Sequence, residues 1–165
     1  MNQSLHLLIA ALREELQQYG EMLARLDRQQ EHVIARAADD VFESIHLVQE
    51  QGEVIQAARA HREKCRTAVA QAVLLPADAS FALLIPLLPQ DYRPLVKALV
   101  DENNALLVRV QQRARQNHLL LSRSVELMQS FLNTFFPARE TVVYTERGTT
   151  HTRAVAMSPI YEAVG

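Results

Sequence analysis

The chain is poor in the residues that make tight turns and β-structure. Its 165 residues include four glycines and no tryptophan, and aromatic residues make up 5%. Leucine, alanine, glutamine, arginine and glutamate, which favour helices, are abundant. β-sandwiches, barrels and dinucleotide-binding α/β folds use glycine for turns and phosphate loops. The composition therefore predicts an all-α protein.

Other shortages exclude several classes of protein. Cys65 is the single cysteine, which excludes an internal disulfide and a zinc site built from several cysteines. The net charge is −2, without the basic excess of most nucleic-acid-binding proteins. The apolar run near the N-terminus is short and is interrupted at Arg13 and Glu14. This pattern indicates neither a signal peptide nor a transmembrane span, so we expect a cytoplasmic protein without stable membrane insertion.

An unbroken heptad pattern runs through the N-terminal part of the chain. Its members, at alternating steps of four and three, are Leu5, Ile9, Leu12, Leu16, Tyr19, Leu23, Leu26, Gln30, Val33 and Ala37. The pattern predicts a long helix over 4–37 with Ser4 as its N-cap. Such a stripe has to pack lengthwise against another long helix or a partner.

A second, weaker stripe predicts a helix over 40–74, folded back antiparallel on the first. Its members are Val41, Ile45, Val48, Gly52, Ile55, Ala58, Arg62, Cys65, Val69 and Ala72, with Gly52 and Arg62 as breaks. Asp39 or Asp40 is suited to cap this helix, which favours a turn near 37–40. One continuous helix over 3–74 is the alternative.

Prolines mark the boundaries of a third long helix, predicted over 92–136. Pro94 suits its first turn and Pro137 ends it. One face carries Leu99, Leu106, Val110, Ala114, Leu121, Val125, Met128, Leu132 and Phe135. The proline-rich segment before it predicts a short helical turn near 79–88 that caps the bundle and buries Phe81, Leu83, Leu84, Ile85, Leu87 and Leu88.

These elements predict an antiparallel three-helix bundle of long, coiled-coil-like helices over 1–137. Residues 138–165 differ in composition, because helix formers become rare and threonine, valine and glycine increase. Residues 142–145 have β character and Gly148 suits a turn. We predict a flexible tail or a marginal hairpin for this segment.

The residues that carry chemistry do not assemble into a recognisable catalytic pattern. Glu43 and His46 have the spacing of a metal-binding Glu-x-x-His motif, but no second copy exists. His61 and Cys65 could reach one ion, yet two ligands do not make a site. The isolated glycines give no phosphate-binding loop. We therefore expect no catalytic activity, no metal and no cofactor.

Polar residues on the third helix suggest binding instead. Asn103 falls on its apolar face with Asn117 nearby, where an asparagine fixes the register of a coiled coil or contacts a partner. A basic patch consists of Arg109, Arg113, Arg115 and Arg123. The acidic first two helices or an acidic protein match this patch better than RNA does, because no aromatic residues interleave for base stacking. Three amphipathic helices also leave a groove for a fourth.

The order of these features resembles the FlgN-type flagellar type III export chaperones. Two long helices join at Ala38-Asp39, and the third helix carries Asn103-Asn104-Ala105-Leu106-Leu107. Tyr144 and Gly148 form a Tyr-x-x-x-Gly segment at the start of a polar tail. Two positions differ from the residues that are commoner in these chaperones. The turn between the first two helices has Ala38 in place of a glycine, and the residue after Asn103 is Asn104 in place of a glycine.

The resemblance implies a non-enzymatic chaperone. Such proteins bind the amphipathic terminal helical segment of hook-associated proteins, prevent premature assembly and deliver them to the flagellar export gate, and their tail, with a tyrosine matching Tyr144, contributes contacts. We predict partner contacts at Asn103, Leu106, Leu107, Val110, Val142, Val143, Tyr144, Ile160 and Tyr161, and a monomer or weak dimer. A homodimerising coiled-coil adaptor and an RNA-binding helical regulator are the alternatives.

Overall fold

A computed structural model describes residues 2–135 and the backbone of 143–144 and 150–151. The chain divides into two compact units, residues 1–122 and 123–165. The α-helices are α1 (Asn2–Ala35), α2 (Ala38–Ala72), α3 (Phe81–Leu84) and α4 (Arg93–Phe135), with 3₁₀ turns at Ile85–Leu87 and Gln90–Tyr92. The all-α fold predicted from composition is confirmed. No helix within residues 2–135 is long and apolar enough to cross a membrane.

A two-residue turn separates α1 from α2, so the continuous helix is excluded. Arg36 has a φ of 58°, and its N–H and that of Ala37 donate to the carbonyls of Val33 and His32. This left-handed residue with its two bonds is a Schellman motif, which ends a helix.

The predicted caps of the two helices are wrong. Ala37 is the N-cap of α2 and makes no side-chain hydrogen bond, while Asp39 and Asp40 lie in the first helical turn. There the carboxylates face the positive end of the helix dipole, which stabilises them without a capping bond. Ser4 is likewise inside α1, because that helix begins two residues earlier.

Side-chain bonds fix α1 and α2 antiparallel. Gln51 donates from Nε2 to the main-chain oxygen of Gln18 at 3.1 Å, and Arg25 donates to the carbonyl of Leu47 at 2.8 Å. Nearer the chain's N-terminus, Arg62 reaches Glu15. Since residues later in α2 pair with residues earlier in α1, the two helices run in opposite directions.

The first unit contains the start of α4, which runs parallel to α1. The side chain of Asn103 donates a hydrogen bond to the main-chain oxygen of Leu12, and that of Asn117 donates to the main-chain oxygen of Leu26. Between them, Arg113 pairs with Asp27 at 2.6 Å, as the opposite charges of the helices predict. The three long helices therefore alternate in direction, which confirms the predicted bundle.

Apolar side chains in the first unit form two clusters. The larger lies where α1 begins, and its members are Leu5, Leu8, Ile9, Ala11, Leu12, Cys65, Val69, Ala70, Ala79, Leu84, Leu88, Val96 and Leu99. The smaller contains Tyr19, Met22, Leu26, Ile55 and Val110. Each fully buried leucine contributes about 1.5–3 kcal/mol relative to an exposed one. The larger cluster is therefore the main source of stability in the bundle.

The segment between α2 and α4 forms the predicted helical cap, but it does not bury all of its apolar residues. Leu84 and Leu88 are buried, whereas Leu83 and Leu87 are exposed. Residues four apart share a helix face, so the two pairs point in different directions. The expectation that Leu83 and Leu87 are buried is therefore wrong.

The second unit begins within α4. The helix continues to Phe135, and two short strands follow, β1 (Val143–Tyr144) and β2 (Thr150–His151). They pair antiparallel, with Val143 opposite His151 and Tyr144 opposite Thr150. The remainder of the predicted tail, 138–165, lies outside the described residues.

Candidate functional site

Asn103, the first predicted contact residue, lies between α4 and α1. Its Nδ2 donates to the main-chain oxygens of Leu12 at 3.0 Å and Leu99 at 2.9 Å. The residue is 6% exposed, and its Oδ1 has no hydrogen-bond partner within residues 2–135. Asn103 therefore holds α4 against α1 with one end of its amide and leaves a buried acceptor at the other.

Asn117 repeats this arrangement further along α4. It is 2% exposed and donates to the main-chain oxygen of Leu26 at 2.7 Å and to Oε1 of Gln29 at 3.0 Å. Ser44 and Gln51 of α2 are also buried. Polar side chains thus occupy interior positions in the half of the bundle near the α1–α2 turn.

The other predicted contact residues of α4 pack in the smaller apolar cluster. Val110 is buried there with Tyr19, and Leu106 and Leu107 are partly buried against it. The structure therefore brings Asn103, Leu106, Leu107 and Val110 together on the side of α4 that faces the bundle. Leu106 and Leu107 keep some exposed surface.

An ion-pair network that the sequence patterns miss crosses the same region. Glu15 is 3% exposed and accepts from Nε of Arg62 at 2.8 Å and from the hydroxyl of Tyr19 at 2.9 Å. Burial and the neighbouring Glu15 raise the pKa of Tyr19 to about 12. Burial lowers the pKa of Arg62, but the hydrogen bond and charge of Glu15 outweigh burial and raise it overall. The break that Arg62 makes in the second stripe is the signal that could have indicated a buried carboxylate.

The last turns of α4 expose an apolar face in the second unit. Val125, Met128 and Leu132 are 55%, 61% and 46% exposed, and Leu127 beside them is 72% exposed. The spacing of three and four residues puts the first three on one side of the helix. We call Val125, Met128 and Leu132 the end face. Large exposed apolar patches commonly mark protein-binding sites.

The paired residues with metal-ligand spacing show no assembled site. Glu43 and His46 are exposed on α2, and Nε2 of His61 lies 3.8 Å from Sγ of Cys65. Burial raises the pKa of the Cys65 thiol, which favours its protonated form. Within the part of the chain that the structure describes, no three His, Cys, Asp or Glu side chains are grouped as metal ligands.

The arginines of α4 are used in different ways. Arg113 is engaged by Asp27 and also donates to Oε1 of Gln30 at 2.5 Å. Arg109 and Arg115 are exposed. Arg123 belongs to the second unit. Since Arg113 already has an acidic partner, the patch has less free positive charge than its sequence indicates.

The predicted contact residues of the tail are not described by their side chains. Val143 and Tyr144 are described only by the backbone pairing of β1. Val142, Ile160 and Tyr161 lie outside the described residues.

Comparison with protein families decides the class of the protein. The family model described as FlgN protein matches residues 1–152, a range that contains all four α-helices and both strands that the structure describes. The chain belongs to the FlgN family. FlgN proteins are flagellar export chaperones, so the resemblance drawn from Asn103–Leu107 and Tyr144 is confirmed. Comparisons with curated proteins and with solved structures found no match.

Proposed function

We propose that this FlgN-family protein binds the amphipathic terminal helical segments of flagellar hook-associated proteins in the cytoplasm. It keeps them from assembling prematurely and delivers them to the flagellar type III export gate. The observation that carries the proposal is the end face, three exposed apolar side chains on one side of α4 in a chaperone chain. An amphipathic helix is the partner that a helical apolar stripe accepts most directly.

This binding is favourable because both partners bury apolar surface that is otherwise exposed to water. A terminal segment that is disordered alone cannot bury its own apolar stripe. Covering an apolar side chain gains about 1.5–3 kcal/mol, part of which offsets the ordering of the segment. Binding of this kind is reversible, as delivery to an export gate requires.

The sequence of the tail supports a second set of contacts. Val142, Val143, Tyr144, Ile160 and Tyr161 lie in a polar segment that is short for a core of its own. In the proposal they contact the client or the export gate, with Tyr144 as the anchor. A tyrosine supplies a large contact area at small entropy cost and keeps a polar hydroxyl. Deleting residues 138–165 should then lower client binding or export and leave the melting of the helices nearly unchanged.

The test uses the purified chain and synthetic peptides with the terminal helical segments of hook-associated proteins from the same bacterium. Met128→Asp should weaken binding about tenfold or more, as the loss of a central apolar contact does. Gln129→Asp introduces the same charge at the next position and should change the Kd less than about twofold. Failure of the wild-type chain to bind any of these peptides would refute the proposal.

A homodimer through the same end face is the competing function. In that case a second copy covers Val125, Met128 and Leu132. Sedimentation equilibrium separates the two, because the chaperone is a monomer or weak dimer whose mass increases by one client. A tight dimer that dissociates on Met128→Asp and binds no client peptide would support the adaptor instead.

A further inference from the structure

A cavity of about 340 Å³ opens in the first unit. All four helices contribute to its wall. Its apolar residues include Leu12, Phe81, Val100 and Leu107, and its polar residues include Arg59 and Asn103. Apolar walls with a few polar groups are typical of binding pockets. We call it the Arg59 cavity.

The charges around the Arg59 cavity do not balance. Glu15 is occupied by the close bond of Arg62, whereas Nε of Arg59 lies 3.9 Å from the same carboxylate. Arg62 and Arg66 both also pair with Glu63. The network therefore contains three guanidinium groups and two carboxylates, which leaves one surplus positive charge. We assign this charge to Arg59, because its guanidinium lies farthest from a carboxylate and its side chain is 45% exposed.

Asn103 contributes a buried amide to the wall of the cavity. Its Nδ2 is fully engaged by two main-chain oxygens, but its buried Oδ1 accepts no hydrogen bond from residues 2–135. Buried polar atoms are nearly always paired with protein or with ordered water.

We propose that the Arg59 cavity is a second docking point for the exported partner and receives an acidic amphipathic helical segment. An apolar side chain of that segment enters between Phe81 and Leu107, and a neighbouring Asp or Glu pairs with Arg59. The proposal rests on the proposed function, because the occupant belongs to the same client. It adds the chemistry of the client, which must carry acidic residues beside its apolar stripe.

Charge reversal at the rim tests the proposal, with the terminal-segment peptides of hook-associated proteins as probes. Arg59→Glu should weaken the best-binding peptide about fivefold or more, because it places like charges together. Lys64→Glu, the same reversal on an exposed residue of α2 that does not line the cavity, should leave the Kd within about twofold. Replacing the peptide's Asp and Glu by Asn and Gln should weaken binding to the wild type but not to Arg59→Gln.

A second variant tests the cavity without changing a charge. Ala82 is an exposed residue of α3 at its wall, so Ala82→Trp fills the space and removes no large side chain. It should weaken the same peptide, whereas Ala77→Trp, in the exposed loop before α3, should not. This variant decides the matter if Arg59→Glu impairs folding.

The outcomes separate the two proposals. If the wild type binds a client peptide while Arg59→Glu and Ala82→Trp bind it equally well, the docking point is refuted and the chaperone function stands. If the wild type binds no client peptide, both proposals fail. Weakened binding by both variants, with their controls unchanged, supports the docking point.

Discussion

Asn117 donates a hydrogen bond from Nδ2 to the main-chain oxygen of Leu26 at 2.7 Å. Asn103 makes the same bond to Leu12 at 3.0 Å, and each pair is 91 residues apart in sequence. α1 and α4 are therefore held in one register over the fourteen residues, or two heptads, between the two bonds. Any slip of α4 along α1 would break both bonds and leave two buried amides unpaired, which is costly.

Asn117→Asp should destabilise the bundle strongly at neutral pH. The substitution keeps the shape of the side chain but places a carboxylate against the oxygens of Leu26 and Gln29. An unpaired buried charge of this kind costs about 3 kcal/mol or more. Urea unfolding would measure it, with exposed Asn104→Asp as the control. The loss should shrink in acid, where the protonated side chain can donate again; equal stability of the two variants at pH 7 would contradict the register bond.

Arg62→Ala should cost far more stability than the loss of an exposed cation. It leaves the buried carboxylate of Glu15 with the Tyr19 hydroxyl and, as its only cation, the distant Arg59. Breaking a buried pair from one side costs about 3–5 kcal/mol. Lys97 pairs with Asp101 on the surface, where both side chains are more than 60% exposed. Lys97→Ala should therefore change the free energy of unfolding by less than about 1 kcal/mol. Similar losses in the two variants would show that Glu15 is not effectively buried.

Tyr19 should make the bundle sensitive to alkali. Its pKa in the folded chain is about 12, raised by burial and by Glu15, whereas an unfolded tyrosine has a pKa of about 10. The folded form keeps the proton longer, so this stabilisation is complete below pH 10 and is lost as pH rises from about 10 to about 12. Absorbance titration should show a late-titrating component that is absent in Tyr19→Phe. A Tyr19 that titrates near pH 10, like an unfolded tyrosine, would refute its burial.

Leu74→Gly should stabilise the chain, although it removes an apolar side chain. Leu74 has a φ of 61° and is 94% exposed. It directly follows Val73, the C-cap of α2, at the position where a left-handed residue commonly ends a helix. The left-handed conformation costs about 1–2 kcal/mol for residues other than glycine, and part of this is recovered by glycine. Ala68→Gly, at an exposed position inside the same helix, should instead cost about 1 kcal/mol. Thermal melting of both variants checks the opposite signs.

The heptad stripe of α1 could be predicted because it follows one local rule. Leu5, Ile9, Leu12, Tyr19 and Leu26 are buried as their spacing indicates. The interior positions of α2 could not, because they include Ser44 and Gln51 rather than only apolar residues. A search for apolar periodicity cannot find a polar side chain that is buried because it hydrogen-bonds to another residue.

The burial of Glu15 at the candidate site could not be predicted from the sequence either. It is buried because Arg62, 47 residues later, neutralises it across the helix pair. No local spacing contains that information. The third stripe also looks uniform in sequence, yet Val110 is buried and Met128 is exposed. Whether a residue of the stripe is buried depends on which neighbouring side chains contact it. Only the tertiary structure contains that information.

Hydrogen exchange of the chain with and without a bound terminal segment of a hook-associated protein tests most directly whether α4 binds the client. Amides of 123–135, which carry the end face, should become protected in the complex. Amides buried in the larger apolar cluster should already be protected in the free chain. A stoichiometric complex in which 123–135 exchange as fast as in the free chain would contradict the claim that α4 binds the client through Val125, Met128 and Leu132.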